Sequence, residues 1–445
     1  MESERVGSAR DSRLVRAASQ NIFPPLKARH AVLAILFMTW VFSLMNRMAM
    51  SVAIPYIASD YHLSPSASGL LLSVFFAAYS ITQIPGGLLA DVFGARRVAT
   101  VAMVWWSVFT AITGAAANFA QMLVVRFLFG LGEGMFPACS FKTIAVWFPK
   151  KERATANAIM LASNPLGAAI APLAVVGIMS FLGWRAVFYS LFIPGLLTAL
   201  LFWHFVPDKP SASRFVSPEE LTEIEEGGDA AASSAAPKGT LSKILREASS
   251  WKYFFVLFTF NIAYWGFSAW LPTYLVKARG FSMTQMGVAA SLPFLAGAAG
   301  AILGGGLSDK YFPNNRRAPI LATQLMSALF LYLTYTAKSP AMLVVCETLA
   351  GLFLNFFYSA FWALPMNAVP KQLMGVTAGF INMAGQIAAF SSPLFIGFLV
   401  GEAERDFDRA FMFLIASLLV SAVIVFTLSN RALASEGGGG LPGEI

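Results

Sequence analysis

Long apolar runs alternate with short polar segments along almost the whole chain. A helix needs about 20 predominantly apolar residues to cross a bilayer, and each run is close to that length or longer. Turn-forming residues punctuate the segments between runs, for example at Pro65, Gly94 and Pro149. The pattern predicts twelve membrane-spanning helices, near residues 31–57, 67–90, 98–118, 121–146, 154–181, 184–206, 252–276, 285–307, 318–337, 341–364, 374–399 and 409–430.

One polar segment, residues 207–250, divides the spans into two groups of six. Ser217 precedes Glu220 by three residues, the spacing of a capping box, so we expect a short amphipathic helix at about 218–226. The rest of the segment has the composition of a flexible linker. The predicted organisation is an N-terminal tail at 1–29, a six-helix bundle at 30–206, a linker at 207–250, a second six-helix bundle at 251–430 and a C-terminal tail at 431–445.

Composition excludes a soluble protein, because 57% of the residues are hydrophobic and only 12% are charged, whereas soluble chains carry about 25% charged residues. Lysine and arginine collect in the second, fourth, sixth and eighth loops, while the first and third loops carry none. By the positive-inside rule, both tails and the linker then lie in the cytoplasm. The net charge of +8 is mostly this topology signal, so no nucleic-acid partner is expected.

Few residues could carry out chemistry. Cys139 and Cys346 each lie inside a predicted span, in different halves, and no cluster of histidine, cysteine and carboxylate residues has the spacing of metal ligands. No nucleophile stands beside a base, and no loop has the pattern of a phosphate-binding cradle. We therefore expect neither an enzyme nor a bound metal or cofactor.

Two charged residues, Arg126 and Glu133, lie inside the fourth span. A charge at that depth costs ~2.5–3.5 kcal/mol on insertion scales, so each is a candidate functional residue. They are seven residues apart, on one helix face but about two turns from each other, which disfavours a direct pair. Arg47 lies at nearly the depth of Glu133 in the first span. Its planar guanidinium suits a carboxylate, so Arg47 either holds an anionic substrate or forms a structural pair with Glu133.

The turn after the second span has a counterpart after the eighth. Asp91 is followed by Arg96 and Arg97, and Asp309 is followed by Lys310 and two further arginines. This internal repeat indicates duplicated bundles around a central cavity. We expect Asp91 to pair with Arg96 or Arg97, or to meet the N-terminus of a helix in the other half, and so to close a cytoplasmic gate. A plain basic loop is the alternative.

Four stretches carry a resemblance to a known family. The turn at 87–97 (Gly-x-x-Ala-Asp-x-x-Gly-x-Arg-Arg) resembles the signature turn of the major facilitator superfamily, and 126–134 (Arg-x-x-x-Gly-x-x-x-Gly) is similar to its fourth-span motif. Within that superfamily, residues 46–55 and 132–137 resemble the anion:cation symporter family, which includes sugar-acid and vesicular glutamate transporters. The resemblance implies an all-α membrane protein, with twelve transmembrane helices in two pseudo-symmetric six-helix bundles around a central cavity.

The same resemblance implies roles for individual residues. Arg47 stands where the family has the arginine that binds the substrate carboxylate, and Tyr79, Asn164 and Asn382 fall near its cavity positions. Asn46 stands where proton-coupled sugar-acid relatives commonly have an aspartate. Because an amide cannot titrate, the proton stoichiometry and even the coupling ion stay open.

Polar and aromatic residues at mid-depth in the second half complete the predicted cavity. They are Tyr264 in the seventh span, Trp362 in the tenth and Gln386 in the eleventh. We find no charged residue at mid-span in this half, so the anion is expected to bind mainly to the first half. Arg126 is expected to act in gating or structure rather than as a direct ligand, and Asp309 to act at the gate.

The sequence favours a secondary transporter that imports a small organic anion, a sugar acid or another carboxylate, with protons by alternating access. Arg47 would hold the carboxylate and Glu133 would carry the proton; the alternative for Glu133 is a permanently ionised partner of an arginine. We expect a monomeric, multi-pass protein of a bacterial inner membrane with both termini cytoplasmic. A proton-coupled exporter of drugs or metabolites is the alternative function, and a transporter-like sensor is a third.

Overall fold

The computed structural model describes residues 27–226, 244–312, 315–369, 371–401 and 407–428, and nearly all of them are helical. The helices are α1 (Ala28–Asp60), α2 (Pro65–Phe93), α3 (Ala95–Ala115), α4 (Phe119–Glu133), α5 (Phe136–Trp147), α6 (Arg153–Phe205), α7 (Pro218–Glu226), α8 (Ala248–Thr273), α9 (Met283–Tyr311), α10 (Arg317–Thr336), α11 (Pro340–Ala368), α12 (Lys371–Val400) and α13 (Asp408–Phe426). Residues 1–26 of the predicted N-terminal tail, the predicted C-terminal tail at 431–445 and the linker residues 227–243 lie outside the described residues.

Eleven helical stretches in the described ranges are long and apolar enough to cross a membrane. One of them, α6, has 53 residues, which at the helical rise corresponds to roughly 80 Å, far more than a hydrocarbon core of about 30 Å. Gly183 interrupts α6 with φ 76° and ψ 171°, a backbone conformation that glycine adopts without a steric penalty. Because α6 thus holds two spans and each of the other ten stretches holds one, the structure agrees with the twelve predicted spans.

Polar caps begin four of the helices, at equivalent places in the two halves. Ser64 and Asn118 cap α2 and α4, and Ser282 and Ser339 cap α9 and α11, each side chain accepting a backbone N–H three residues on. Such caps satisfy donors that have no partner within the helix. Their recurrence after spans one and three, and again after spans seven and nine, supports the internal repeat.

The two halves come closest where α2 crosses α12 and where α9 crosses the first part of α6. A Cβ on Gly69 would lie 2.6 Å from the Pro393 carbonyl oxygen, and one on Gly397 would lie 2.5 Å from that of Pro65. A Cβ on Gly287 would lie 2.8 Å from Val176. Glycine at these sites lets the backbones approach closely. All of these contacts lie at the end of the bundle opposite α7.

At the other end, which we call the linker end, α7 packs on the start of α1. The Glu220 carboxylate accepts the backbone N–H groups of Ala28 at 2.9 Å and Arg29 at 3.0 Å. Ser217 caps α7 as predicted, but Glu220 caps α1 instead of completing the box on its own helix. Glu223 pairs with Lys27 at 2.6 Å and with Arg29 at 3.0 Å.

The Lys27 hydrogen bond holds the pKa of the Glu223 carboxyl below its usual range. A lowered pKa means that this contact contributes stability at neutral pH and loses it as the pH falls through the lowered value.

Replacing Glu220 with alanine should lower the free energy of unfolding by about 1–2 kcal/mol, because α1 loses the acceptor for two of its N-terminal donors. Thermal unfolding of the purified protein in detergent measures the change. Glu225→Ala, an exposed position on the same helix, is the matched control and should leave the midpoint unchanged. Equal midpoints for Glu220→Ala and the wild type would contradict the capping role.

Candidate substrate site

A buried ion pair joins α1 to α4. Arg47 Nε donates to Glu133 Oε1 at 2.8 Å, and the two side chains are 9% and 1% exposed. Ser43, one turn before Arg47 on α1, donates its hydroxyl to the same carboxylate oxygen. Residues four apart share a helix face, so both donors reach Glu133 from one side. The structure thus contains the pair with Glu133, which is one of the two alternatives that the sequence leaves open for Arg47.

A break in the fourth span places Glu133. The sequence predicts one continuous helix at 121–146, but the structure has two helices there: α4 ends at Glu133 and α5 begins at Phe136. Pro137 has no N–H and cannot donate to the Glu133 carbonyl four residues back. Gly134 lies in the break and packs directly against α2. A Cβ at this position would lie 2.3 Å from the Tyr79 carbonyl oxygen. The carboxylate therefore projects from a helix end that is held by close packing.

Aromatic rings surround the guanidinium groups of the two buried arginines. The Arg47 guanidinium carbon lies 4.5 Å from the centroid of the Tyr79 ring and 5.2 Å from that of Phe75. The guanidinium carbon of Arg126 lies 4.4 Å from the centroid of Phe129 and 5.6 Å from that of Phe75. Cation–π contacts of this kind contribute about 0.5–2 kcal/mol each. Phe75 thus lies beside both arginines and brings them into one site.

The site carries more positive than negative charge. Arg126 is 2% exposed, and it forms no ion pair within the described ranges, in keeping with its two-turn separation from Glu133. Three buried polar atoms of the site have no hydrogen-bond partner: Arg47 Nη2, Arg126 Nε and Glu133 Oε2. Unsatisfied buried donors cost about 1–3 kcal/mol each, and more when charged. Two guanidinium groups beside one carboxylate leave an excess of one positive charge, which suits an anionic ligand.

Tyr264 connects the second half to this site. Its ring lies 5.3 Å from those of Trp265 and Tyr358, and the Trp265 ring lies 4.9 Å from Phe76, the neighbour of Phe75. No hydrogen bond or ring contact in the described part of the chain joins the ion pair to the other predicted ligands, which therefore stay predictions. These are Asn164, Trp362 and Gln386, which are partly exposed, and Asn382, which is exposed.

Sequence reasoning did not single out Ser43 and Phe75. Ser43 precedes Arg47 by four residues, and Phe75 precedes Tyr79 by four. That spacing places each pair on one helix face, so a search for polar or aromatic neighbours at four residues from Arg47 and Tyr79 would have found both.

Asn46 faces α3 and not the ion pair. Its amide donates to the Phe42 carbonyl at 3.0 Å, and its oxygen accepts from the Thr110 hydroxyl at 3.2 Å. The side chain is 2% exposed. Asn46 is therefore fully engaged in structure, although its neighbour Arg47 points into the site.

Replacing Asn46 with aspartate should destabilise the protein by about 1–3 kcal/mol at alkaline pH, because an ionised carboxylate cannot donate to Phe42. At acidic pH the protonated acid can donate again, so the difference from the wild type should shrink. Thermal unfolding over a pH series measures this. Asn118→Asp is the control, since aspartate caps a helix as well as asparagine does. A loss that does not vary with pH would contradict the explanation.

Two residues of the predicted gate, Asp91 and Arg96, have partners other than those expected. Asp91 pairs with Lys142 on α5 at 2.7 Å, not with Arg96 or Arg97. Arg96 Nε donates to the Trp203 carbonyl on α6 at 2.7 Å. The reason is Gly94, whose φ of 89° turns the chain so that α3 starts against α6.

The other gate residues remain predictions. Arg97 is exposed at the linker end. The side chain of Asp309 lies outside the described part of the chain.

Sequence reasoning also missed one buried carboxylate of the second half, which lies nearer a span end than mid-span. This residue is Glu347 on α11, whose side chain is 0% exposed. It was readable in the sequence as a single carboxylate within the apolar run 341–364.

Comparison with known proteins gives consistent results. The family model for the Major Facilitator Superfamily matches residues 35–393. The probable sulfoacetate transporter SauU of Cupriavidus necator is 33% identical over 408 residues, covering 89% of this chain and 93% of the relative. The probable galactarate/D-glucarate transporter GarP of Escherichia coli K12 is 32% identical over 421 residues, with coverages of 89% and 93%. The hexuronate transporter of Bacillus subtilis is 30% identical over 394 residues, with coverages of 87% and 91%.

A solved structure shares the fold. It is a bacterial homolog of the human lysosomal transporter Spinster in an inward-facing, unoccupied conformation, with a TM-score of 0.77 and 19% identity. The match covers 90% of this chain and 96% of that one. At this identity the likeness concerns the fold alone.

Proposed function

The chain belongs to the major facilitator superfamily and is a transporter, and we propose that it imports a sugar acid or another small carboxylate in symport with protons. The relatives described above are named as transporters of organic acids. That shared substrate class supports an organic acid for this chain.

The observation that carries the proposal is the excess positive charge of the buried site. Arg47 and Arg126 lie beside one carboxylate, Glu133, and both arginines have a donor without a partner. An organic anion would supply the missing acceptors and the missing negative charge. A cationic drug would add a third positive charge, so the exporter alternative draws no support from this site.

Proton coupling follows from competition for Arg47. A substrate carboxylate that binds the guanidinium displaces Glu133 from its partner. Glu133 is then a buried carboxylate without its ion-pair partner, a state that is costly, and it takes up a proton instead. Release of the anion restores the ion pair and expels the proton. Anion and proton therefore bind and leave together.

Alternating access would use the contacts between the halves. In this conformation the halves are closely packed at the end opposite α7, through Gly69, Gly287 and Gly397. We infer that this end faces outside, because the basic loops lie at the linker end. Rocking of one bundle against the other would open this end and close the linker end.

Transport by purified protein in proteoliposomes tests the proposal. The panel comprises D-glucarate, galactarate, D-glucuronate, D-galactonate and sulfoacetate, each with and without an imposed inward proton gradient. A ligand at 100 times its Kd should also stabilise the protein by ~2.7 kcal/mol, so thermal shifts rank the panel first. Accumulation that needs the gradient is expected for at least one acid. Uptake that is indifferent to the gradient would refute symport.

A further inference from the structure

Glu347 stands apart from the site described above. It lies on α11, seven residues after the helix begins at Pro340, at the end of the bundle opposite α7. The side chain is 0% exposed, and neither carboxylate oxygen has a hydrogen-bond partner. A buried carboxylate normally pairs with a cation or accepts several hydrogen bonds.

The helices around Glu347 offer it no ion pair. In the turn that directly follows α8, the Tyr274 hydroxyl lies close enough to the carboxylate to interact with it electrostatically. Arg279, just beyond, donates to that hydroxyl and to the Tyr335 carbonyl at 3.4 Å each, and to the Ala337 carbonyl. The Arg279 guanidinium is therefore directed at the Tyr274 hydroxyl and at backbone oxygens at the end of α10.

The helices that pack most closely against α11, which are α9 and α10, bring no further charged side chain to this depth. The α9 helix carries its titratable residues only at its far end, from residue 309 onward, and α12 carries only Lys371, also at the linker end. Besides Tyr335, α10 contributes the half-exposed Tyr332. No salt bridge to Glu347 exists among the described residues.

We propose that Glu347 is a second proton-binding site, in the second six-helix bundle, and that its proton exchanges during the transport cycle. This rests on the proton symport proposed above. An ionised carboxylate without a cation or a donor is far less favourable in such surroundings than the neutral acid. Glu347 therefore holds a proton in the conformation described here.

A cleft lies about one helical turn from Glu347 along α11, and we take it as the route for exchange. It has a volume of about 420 Å³ and is lined by Val344 and Pro340 of α11 and by Arg279. Val344 precedes Glu347 by three residues, so the two share a helix face. When the halves separate at this end, we expect water to reach the carboxyl through this cleft. Proton release then accompanies the opening.

The second site also bears on stoichiometry. Asn46 removes one titratable group from the first half, which leaves Glu133 as the proton carrier there. Glu347 adds a carrier in the second half. Because it does not touch the anion site, it would act through the equilibrium between the two end states and not by direct competition for Arg47.

Infrared spectroscopy tests the protonation without any substrate. A protonated carboxyl group has a C=O stretching band separate from that of carboxylates. At neutral pH we expect this band in the wild type and in Glu133→Gln, its loss in Glu347→Gln, and no change in the surface control Glu225→Gln. Glutamine has the shape of the neutral acid, so the variant should fold. The band should disappear reversibly at high pH. A spectrum unchanged by Glu347→Gln, or a band that persists at every pH, overturns the proposal.

Transport stoichiometry tests the exchange. Reversal potentials in proteoliposomes, with D-glucarate as the probe or whichever acid of the panel is carried, give the number of protons per anion. Glu347→Gln should still transport but with one proton fewer, and an unchanged ratio overturns the coupling role. If the wild type carries no acid of the panel, the proposed function fails. The infrared comparison, including its pH dependence, then still decides whether Glu347 binds an exchangeable proton.

Discussion

Replacing Glu133 with glutamine should remove one coupled proton per anion, so that proton-driven accumulation of the anion falls while anion exchange stays intact. Glutamine keeps a carbonyl oxygen that can accept from Arg47 and Ser43, which donate to Glu133 in the native site. It cannot bind a proton and cannot carry a charge. One coupled proton and one pH unit correspond to ~1.4 kcal/mol, or about tenfold accumulation. The variant should lose this tenfold contribution.

Two assays in the same proteoliposomes separate coupling from binding. The first measures accumulation against an imposed pH gradient, and the second measures exchange of labelled for unlabelled anion without a gradient. The surface variant Glu225→Gln should behave as the wild type in both. Accumulation by Glu133→Gln equal to that of the wild type would remove this residue from the coupling mechanism. Loss of exchange together with accumulation would show that Glu133 is needed for binding or for the conformational change.

Replacing Arg47 with lysine should weaken anion binding by about 30-fold or more. Truncating one member of a buried charge pair at a binding site costs 2–5 kcal/mol, and ~1.4 kcal/mol is a factor of ten. Lysine keeps the charge that compensates Glu133, but it lacks the planar fork that binds a carboxylate through two hydrogen bonds. Alanine is unsuitable here, because leaving Glu133 buried without a partner costs about 3–5 kcal/mol of stability.

Ligand-induced thermal shifts and the KM of exchange measure this effect. Arg185→Lys is the matched control, because Arg185 pairs with Asp60 in a half-exposed position at 3.3 Å. Exposed pairs of this kind contribute about 0–1 kcal/mol, so the control should bind as the wild type does. An unchanged KM in Arg47→Lys would assign the anion to Arg126 or to another residue. A pronounced loss in Arg185→Lys would indicate a general effect on folding.

The site could be predicted in part. Arg47, Glu133 and Arg126 were recognisable because a charge within an apolar run is costly wherever the helix packs. The pairing of Arg47 with Glu133 was predictable from their similar depth. The partner of Asp91 was not, because the choice between Lys142 and Arg96 depends on how α5 and α6 pack against the turn at Gly94. Asn46 was identified as unusual, yet its orientation toward Thr110 depends on how α1 is rotated about its axis.

The sequence by itself determined the number of spans, the division into two halves and the position of the charged residues in depth. These properties follow from run length and from the cost of charge in a bilayer, which act along one dimension of the chain. Only the tertiary structure decided which groups meet: Ser43 with Glu133, Phe75 between two arginines, and Glu347 without a partner. Those contacts depend on the rotation of each helix and on its neighbours, which are set by the packing of the whole bundle.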